Sequence, residues 1–331
     1  MSEAQSNTGR WTVSAEHAGL TVSRVLRTFL ADASWRQIKQ LIATRRVAVN
    51  GLLCLDASRR LIAGDDILVS GDPLPPPPSD RDVQVLHLDD SVAVIDKPSG
   101  MISLRHVAEI DWPAKKRAQQ PSADEVVLRA VGRSLKTRDD LSALPPKLRR
   151  KHVRSVHRLD RDTSGLLVFA RSVEAEQHLI RQFSEHTITR TYLAIAHGSP
   201  PTVTVRNQLV RDRGDGLRGS TAIADAGKPA ATHVRPIEPI GNCSLVECQL
   251  ETGRTHQIRI HLAEQGNAVC GDAVYRGPLN GPLVTDESDA PRLALHAKLL
   301  EFEHPATGER LRFESELPDD LSAFVEQLRA Q

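Results

Sequence analysis

A run of prolines is the feature that most constrains how this chain can fold. Residues 71–80 read Gly-Asp-Pro-Leu-Pro-Pro-Pro-Pro-Ser-Asp. Proline lacks a backbone donor and favours an extended polyproline conformation, so such a run is a semi-rigid spacer rather than the interior of a domain. The sequence therefore predicts two domains, residues 12–71 and 83–331, joined by a proline-rich linker at 72–82.

Charge and cysteine usage narrow the function classes. The 331 residues include 43 Lys+Arg and 42 Asp+Glu, so net charge alone says nothing about nucleic acid. The distribution of charge is more informative, because ten Lys and Arg against three Asp lie between Arg133 and Arg161. Four cysteines without CxxC spacing or a paired histidine predict no metal site. No signal peptide and no apolar stretch of about 18 residues is evident, so we expect a cytoplasmic protein with no membrane span.

The first domain has the pattern of a small α+β unit. Residues 22–29 and 34–43 show helical spacing of apolar positions, and residues 47–49 and 67–69 are short apolar strands. The turn Asn50-Gly51, suited to positive φ, follows the first strand, and the turn at 64–65 precedes the second.

This order of elements resembles the S-four type of RNA-binding domain, which is named after a small-subunit ribosomal protein. The shared marks are a basic helix pair, a Val-x-Val-Asn-Gly turn and a Gly-Asp turn before the last strand. The residues that the resemblance assigns to RNA binding are Arg36, Lys39, Arg45 and Arg46. Arg45-Arg46 departs from the family, which often has a glycine before the strand. The alternative is that these side chains form only a solvated helix face.

The second domain mixes strands and helices without regular βαβ spacing. Strands are predicted at 92–96, 165–170 and 191–196, and residues 246–251 alternate apolar and polar. Ser172 is expected to cap a helix that places Leu179, Ile180 and Phe183 on one face. These patterns favour an antiparallel α+β fold over a doubly wound one.

The segment 102–152 is predicted to be a partly ordered basic insertion. It contains one short apolar piece, residues 126–131, among polar residues and prolines. Its basic stretch at 147–151 would suit phosphate contacts, which position RNA without reading its sequence. A solvated loop is the alternative for this stretch.

The densest chemical signal is His-Arg-Leu-Asp-Arg-Asp-Thr-Ser-Gly at residues 157–165. The arginines that flank Asp160 favour its ionised form, which can act as a nucleophile or a base. Residues 160–165 also mimic the start of a calcium-binding loop, but Arg171 stands at the twelfth position, where a glutamate is needed. An Asp-dependent phosphohydrolase is a second reading, which magnesium dependence would indicate.

This motif, together with others in the same order, resembles the RluA-type pseudouridine synthases, which modify ribosomal and transfer RNA. The further matching segments are 96–101 (Asp-Lys-Pro-Ser-Gly-Met), 190–194 (Arg-Thr-Tyr-Leu-Ala), 253–261 (Gly-Arg-Thr-His-Gln-Ile-Arg-Ile-His) with Gly271-Asp272, and 293–297. The resemblance covers nearly the whole chain outside 102–152. It implies a catalytic domain with the pseudouridine synthase fold, that is, α+β with a central mixed, mainly antiparallel sheet, and a reaction that needs no cofactor.

The resemblance also implies roles for individual residues. Asp160 would be the essential catalytic residue, either attacking covalently or removing a ribose proton. Arg259 would pair with Asp160, with Arg254 as the alternative partner. Tyr192 would stack on the flipped uracil, and Arg158 would fill the gap that the flipped base leaves in the RNA.

Four further positions carry weaker expectations. Lys97 is either an RNA phosphate contact or a charge that stabilises its turn. Ile258 would help to sandwich the base, and His157 would shape the loop rather than transfer protons. Arg190 stands where the family has a lysine, a change that keeps charge but alters donor geometry.

The sequence as a whole therefore predicts an enzyme that isomerises specific uridines in structured RNA. Large-subunit ribosomal RNA is the favoured substrate and transfer RNA a possible one, and no obligate protein partner is implied. The alternative from another class is a non-catalytic RNA-binding or ribosome-assembly protein on the same scaffold.

Overall fold

The computed structural model describes residues 8–50, 52–105, 112–113, 117, 120–135, 141, 144, 146–149, 151–223 and 225–330. The chain divides into two units, Met1–Pro77 and Pro78–Gln331. This division falls within the segment proposed as a linker, residues 72–82. Gly51 of the first turn and much of the 102–152 insertion lie outside the described residues.

The N-terminal unit contains two helices and a four-stranded sheet. The helices are α1 (Val22–Phe29) and α2 (Trp35–Ala43), and the strands are β1 (Gly9–Thr12), β2 (Val47–Val49), β3 (Leu52–Leu53) and β4 (Asp66–Val69). The sheet order is β1-β4-β2-β3, with antiparallel pairing. Ser34 begins α2 with a capping box, since its side chain accepts from the Gln37 amide and Gln37 accepts from the Ser34 amide.

The apolar residues whose spacing predicted the helices of the first domain form its core. The fully buried apolar residues of this unit come from both helices and the sheet: Val22, Val25, Leu26, Ile38, Val47, Val49, Leu61 and Ile67. The helices predicted at 22–29 and 34–43 and the strands at 47–49 and 67–69 agree with the observed elements to within one residue.

The second unit is built on one large sheet. Its strands are β5 (Gln84–Leu88), β6 (Val92–Lys97), β7 (Arg154–Ser155), β8 (Ser164–Ala170), β9 (Thr189–His197), β10 (Val203–Val210), β11 (Gly219–Thr221), β12 (Lys228–Ile240), β13 (Cys243–Leu250), β14 (Leu295–Glu303) and β15 (Arg310–Glu314). Its helices are α3 (Ala123–Ser134), α4 (Pro146–Arg149), α5 (Val173–Ser184), α6 (Gln257–Glu264) and α7 (Asp319–Arg329).

The sheet is mixed and mainly antiparallel. Its order is β11-β10-β12-β13-β9-β14-β8-β6-β5, with β15 beside β14 and β7 beside β8. Only β14 and β8 run parallel among the strand pairs of the described residues. The predicted α+β fold with a central, mainly antiparallel sheet is confirmed. In the same described part of the chain, no helix has the length and apolar character needed to cross a membrane.

Alternate residues of the central strands face two separate cores. Ile95 and Phe169 pack on one side of the sheet with Val127 of α3, whereas Val94 and Val168 pack on the other with Leu179 of α5. Because both faces are covered, β8 is buried at every position and reads as a continuous apolar run.

Two predictions for this unit need adjustment. Ser172 caps α5 as expected, accepting from the Ala175 amide at 3.0 Å, but Ile180 is 48% exposed rather than buried beside Leu179. The apolar piece at 126–131 is part of the regular helix α3 and contributes to the core, so this part of the insertion is well packed.

One glycine sets the geometry at the end of the signature motif. Gly165 has φ of 109°, and a Cβ there would lie 2.3 Å from the Ala297 carbonyl oxygen on β14. Only glycine allows the parallel β8–β14 pair to approach this closely. The tight packing holds the signature loop, residues 156–163, at the edge of the sheet.

Candidate active site

The signature loop is held from the segment that follows β6. Ser103 Oγ donates to the Leu159 carbonyl at 2.7 Å, and Ser99 Oγ donates to the Asp162 carbonyl at 2.8 Å. Lys97 Nζ donates to the Arg161 carbonyl at 3.0 Å. These hydrogen bonds fix the backbone on both sides of residue 160.

Lys97 is a structural cation of this loop, and the predicted RNA contact for it is wrong. Its side chain has no solvent exposure, and Nζ also donates to the carbonyls of Pro98 at 2.9 Å and Met101 at 2.8 Å. All three ammonium donors are therefore used within the protein. Burial lowers the pKa of Lys97 to about 7, against the raising effect of the Asp162 and Asp160 charges.

Asp160 and Arg259 lie together at the wall of a cleft. Arg259 Nη1 is 3.6 Å from Asp160 Oδ2, while its Nε and Nη2 donate to both oxygens of Asp272 at 2.7 and 2.8 Å. Burial lowers the pKa of Arg259, but the hydrogen bonds and charge of Asp272 outweigh this and raise it above its usual value. Asp272 thus orients a permanently charged guanidinium towards Asp160.

The alternative partner, Arg254, is directed elsewhere. Its Nε donates to the Pro229 carbonyl at 2.9 Å, although the residue still lines the cleft. Of the two arginines considered for Asp160, Arg259 is the one that the structure places beside it.

His256 and Tyr275 are two neighbours of Asp160 that sequence reasoning missed. His256 Nε2 lies 3.7 Å from Asp160 Oδ1, and its Nδ1 is 2.7 Å from the Tyr275 hydroxyl. His256 has φ of 60°, a left-handed conformation at the start of α6 that turns its ring towards the cleft. Burial lowers the pKa of His256, which favours its neutral form. The signal was present in the Arg-Thr-His-Gln motif, but nothing in the sequence separated this histidine's role from that of its neighbours.

Tyr192 lines the same cleft as Asp160. The cleft has a volume of about 510 Å³ and is lined by residues that include Arg158, Asp160, Arg190, Tyr192, Arg254, His256, Ile258 and Arg259. Tyr192 is 7% exposed, and burial raises its pKa. Ile258 and Leu295 add apolar surface to the same cleft. The arrangement offers one carboxylate, the aromatic rings of Tyr192 and Phe183, and apolar walls to a flat ligand.

Arg190 packs between Phe183 and the segment in which the next motif begins. Its guanidinium lies 5.2 Å from the centre of the Phe183 ring, and Nη2 donates to the Glu251 carbonyl at 3.1 Å. A Cβ at Gly253 would meet Arg190 Nη1 at 2.5 Å. The arginine is 6% exposed and belongs to the cleft wall, a position that a family lysine would occupy with a narrower head.

The remaining residues of the signature divide between surface and core. Arg158 is exposed at the cleft, where it can meet a ligand. His157 turns inward, its Nε2 accepting from the Val168 amide at 3.0 Å, and burial lowers its pKa to about 3. A neutral histidine that accepts a backbone hydrogen bond positions the loop, in line with the expectation for it.

The basic stretch at 147–151 also contains both buried and exposed side chains. Arg149 is buried and directs Nη1 to Glu125 at 3.4 Å, so it is not a phosphate contact. Lys147 and Lys151 are exposed, and Arg150 lies outside the described residues. Most of this stretch's neighbours in 136–145 also lie outside them.

The N-terminal unit carries its own basic face. Arg36 and Lys39 are exposed on α2, next to Trp35, whose side chain is 51% exposed. Arg45 ends the helix with φ of 62°, a left-handed conformation that favours glycine. The position where the family often has glycine is therefore the end of a helix. In this chain Arg45 stands there, with a positive charge in place of glycine's conformational freedom. Arg46 follows it, half-buried.

Comparison with known proteins shows the family to which this chain belongs. A sequence model described as RNA pseudouridylate synthase matches residues 91–264, a range that contains Asp160, Tyr192 and Arg259. The chain is 33% identical over 326 residues to the uncharacterized RNA pseudouridine synthase YlyB of Bacillus subtilis, covering 96% of this chain and 97% of that protein. The chain belongs to the RNA pseudouridylate synthase family.

Other relatives and solved structures agree with this assignment. The ribosomal large subunit pseudouridine synthase D of Neisseria meningitidis serogroup B is 33% identical over 329 residues, 97% of this chain and 82% of that protein. The fold of this pseudouridine synthase resembles human RNA pseudouridylate synthase domain containing 4, with a TM-score of 0.55, 22% identity, and coverage of 74% of this chain and 93% of that one. The predicted RluA-type family and the enzyme class, an RNA pseudouridine synthase that acts on RNA, are confirmed.

Proposed function

We propose that this enzyme converts specific uridines of large-subunit ribosomal RNA to pseudouridine, in the cytoplasm, with Asp160 as the catalytic residue. The observation that carries the proposal is Asp160 at the cleft wall, 3.6 Å from a guanidinium that Asp272 holds in place. The printed name of the relative from Neisseria meningitidis supports ribosomal RNA as the substrate. Transfer RNA is the competing substrate.

The reaction asks little of the protein beyond one carboxylate and a shaped pocket. The bond from ribose carbon-1′ to uracil nitrogen-1 breaks, the base rotates, carbon-5 bonds to carbon-1′, and the carbon-5 proton leaves while nitrogen-1 gains one. No electron or group is transferred to a third molecule. Asp160 can attack carbon-1′ or remove a proton from the ribose, and its distance from Arg259 exceeds a hydrogen bond, so its lone pairs are free for either role.

The cleft must receive a base that has left its helix. Extrusion of a nucleotide costs a few kcal/mol, which stacking in the pocket offsets. Tyr192 and Ile258 provide an aromatic and an apolar surface beside Asp160. Arg158 is exposed at the same cleft and is placed to occupy the gap in the RNA.

The N-terminal unit would add affinity that does not depend on the target base. Exposed Arg36 and Lys39, together with Arg45 and Arg46, suit phosphate contacts, which make binding salt-dependent. The exposed Trp35 beside them offers a stacking surface for a base or ribose. On this proposal, residues 12–71 select the RNA and residues 83–331 modify it.

The test is a pseudouridine map of total RNA from a deletion strain, complemented with the wild type or with Asp160→Asn. We expect one or a few positions in large-subunit ribosomal RNA to be lost and to return only with the wild type. Loss at transfer RNA positions would replace the substrate, and restoration by Asp160→Asn would refute the catalytic role.

A purified assay separates catalysis from assembly effects. RNA labelled with tritium at carbon-5 of uridine releases its label when carbon-5 bonds to ribose. Wild type and Asp90→Asn should release tritium equally, because the Asp90 side chain is fully exposed and is not among the residues that line the cleft. Asp160→Asn should release none while binding the same RNA. Equal release by Asp160→Asn would contradict the proposal.

A further inference from the structure

A second cluster of reactive side chains lies outside the cleft. His197 at the end of β9, Cys243 at the start of β13 and Cys270 after α6 place one ligand-type atom each within 4.8 Å of one another. Strand register brings them together, because Cys243 pairs directly with His197 and the Cys270 amide donates to the Ile195 carbonyl at 2.9 Å. The register of the sheet creates this cluster, and the spacing of the three residues in the sequence does not predict it.

The two sulfur atoms have the separation expected of ligands that share one ion. Cys243 Sγ and Cys270 Sγ are 3.5 Å apart. A disulfide would bring them to about 2.05 Å, so they are not bonded to each other. Tetrahedral zinc with bonds of about 2.3 Å to sulfur holds two sulfurs about 3.8 Å apart. The observed distance is close to the second value.

A carboxylate lies beside the histidine of the cluster. Asp286 Oδ1 lies 3.1 Å from His197 Nε2, a ring nitrogen that is buried and has no aligned hydrogen bond. Asp286 is not one of the three residues whose ligand-type atoms are all within 4.8 Å of one another. It is itself oriented, since Oδ2 accepts from the Gly271 amide at 2.6 Å and Oδ1 from Ser288 Oγ at 2.6 Å. Metal-binding histidines are commonly oriented by a carboxylate at their second ring nitrogen.

We propose that His197, Cys243 and Cys270 bind a zinc ion, with Asp286 orienting the imidazole. Two sulfurs and one imidazole are a donor set that suits zinc, and water would supply the fourth ligand. Cys243 is 3% exposed and Cys270 is fully buried, so the ion would be shielded from water on the sulfur side.

The ion would stabilise the segment that orients the catalytic arginine. Cys270 is two residues before Asp272, which binds Arg259, and Gly271 between them donates to Asp286. A zinc ion would join the ends of β9 and β13 to this segment. The ion would thus stabilise the position of Asp272, whichever RNA the enzyme modifies.

The experiment measures metal on the full-length, untagged protein, because a histidine tag would itself bind zinc. Zinc content after purification, and the thiolate-to-cobalt absorption band after exchange with Co²⁺, are recorded for the wild type, Cys243→Ser, Cys270→Ser and His197→Gln. Cys248→Ser is the matched control, a fully buried cysteine on the same strand but outside the cluster. Asp286→Asn tests the carboxylate that orients His197.

We expect about one zinc per chain in the wild type and Cys248→Ser, with affinity reduced by at least about 10–100-fold in the cluster variants. The cobalt band in the wild type decides the matter even where a variant fails to fold. The proposal is overturned if reduced wild-type protein binds neither Zn²⁺ nor Co²⁺. It is also overturned if thiol titration of the native protein finds Cys243 and Cys270 joined as a disulfide.

Discussion

Two carboxylates in this enzyme lie near arginine side chains, but they differ in how closely the arginines contact them. Glu125 in α3 has a side chain only 3% exposed and accepts from Arg105 at 2.8 Å, from Arg117 at 3.3 Å and from Arg149 at 3.4 Å. Asp160 is 17% exposed, and its oxygens lie 3.6 Å from Arg259 Nη1 and 3.7 Å from the His256 ring nitrogen Nε2. Residue types alone do not distinguish these two surroundings.

The difference lies in how many lone pairs each carboxylate has left. Glu125 accepts hydrogen bonds of 2.8–3.4 Å from three arginines, so it neutralises their buried charge and ties Arg105, Arg117 and Arg149 to α3. The contacts of Asp160 are longer than hydrogen bonds, so the charge is stabilised while the oxygens stay available to a substrate. On the proposed function, Asp160 can act on a substrate because its oxygens lie near a cation without a short hydrogen bond to it.

The largest effect should come from Asp160. Replacing it by asparagine removes the nucleophile or base, and we expect turnover to fall by more than about a thousandfold. Stability should change little, because no short hydrogen bond is lost. Tritium release and thermal unfolding of the same preparation check both parts. A comparable loss of stability would show that Asp160 resembles Glu125 after all.

Glu125→Gln should show the reverse behaviour. It leaves buried guanidinium charge without its carboxylate, and we expect the free energy of unfolding to drop by about 3–5 kcal/mol. Turnover of the folded protein should stay close to wild type. Urea unfolding gives the measurement, with Glu247→Gln as a control that removes only a solvent-exposed partner of Arg235 and should cost less than about 1 kcal/mol.

Asp272→Asn tests whether orientation of Arg259 matters. The amide keeps an acceptor for the amides of Val274 and Tyr275 but loses the charge that aligns the guanidinium. We expect kcat to fall by about 10–100-fold with KM nearly unchanged, as for other residues that orient a functional group. An unchanged kcat would mean that Arg259 reaches Asp160 without this support.

The last prediction concerns His157 and pH. Its pKa is about 3 in the folded protein against an ordinary value of 6.5, so the folded state binds fewer protons between these values. Its contribution to stability is complete above pH 6.5 and is lost as pH falls towards 3, at up to about 1.4 kcal/mol per pH unit. Urea midpoints at several pH values should fall less steeply for His157→Gln than for the wild type. Parallel curves would refute the assignment.

Much of the architecture could be predicted because its causes are local. Apolar spacing and caps define α1, α2 and the central strands, and Ser172 and Ser34 begin their helices as expected. The insertion was harder, since its basic composition hid a buried arginine cluster around Glu125. Amino-acid composition shows how many charged residues a segment contains, but not which residues those side chains contact.

The sequence by itself determined the fold class, the family and the motif that carries Asp160, because strand periodicity and a contiguous motif are written along the chain. Tertiary structure alone decided that Lys97 is buried under the signature loop and that Asp272 orients Arg259. It also brought His197, Cys243 and Cys270 to one point. These outcomes depend on side chains that approach from distant segments, and only the register and packing of the sheet set those distances.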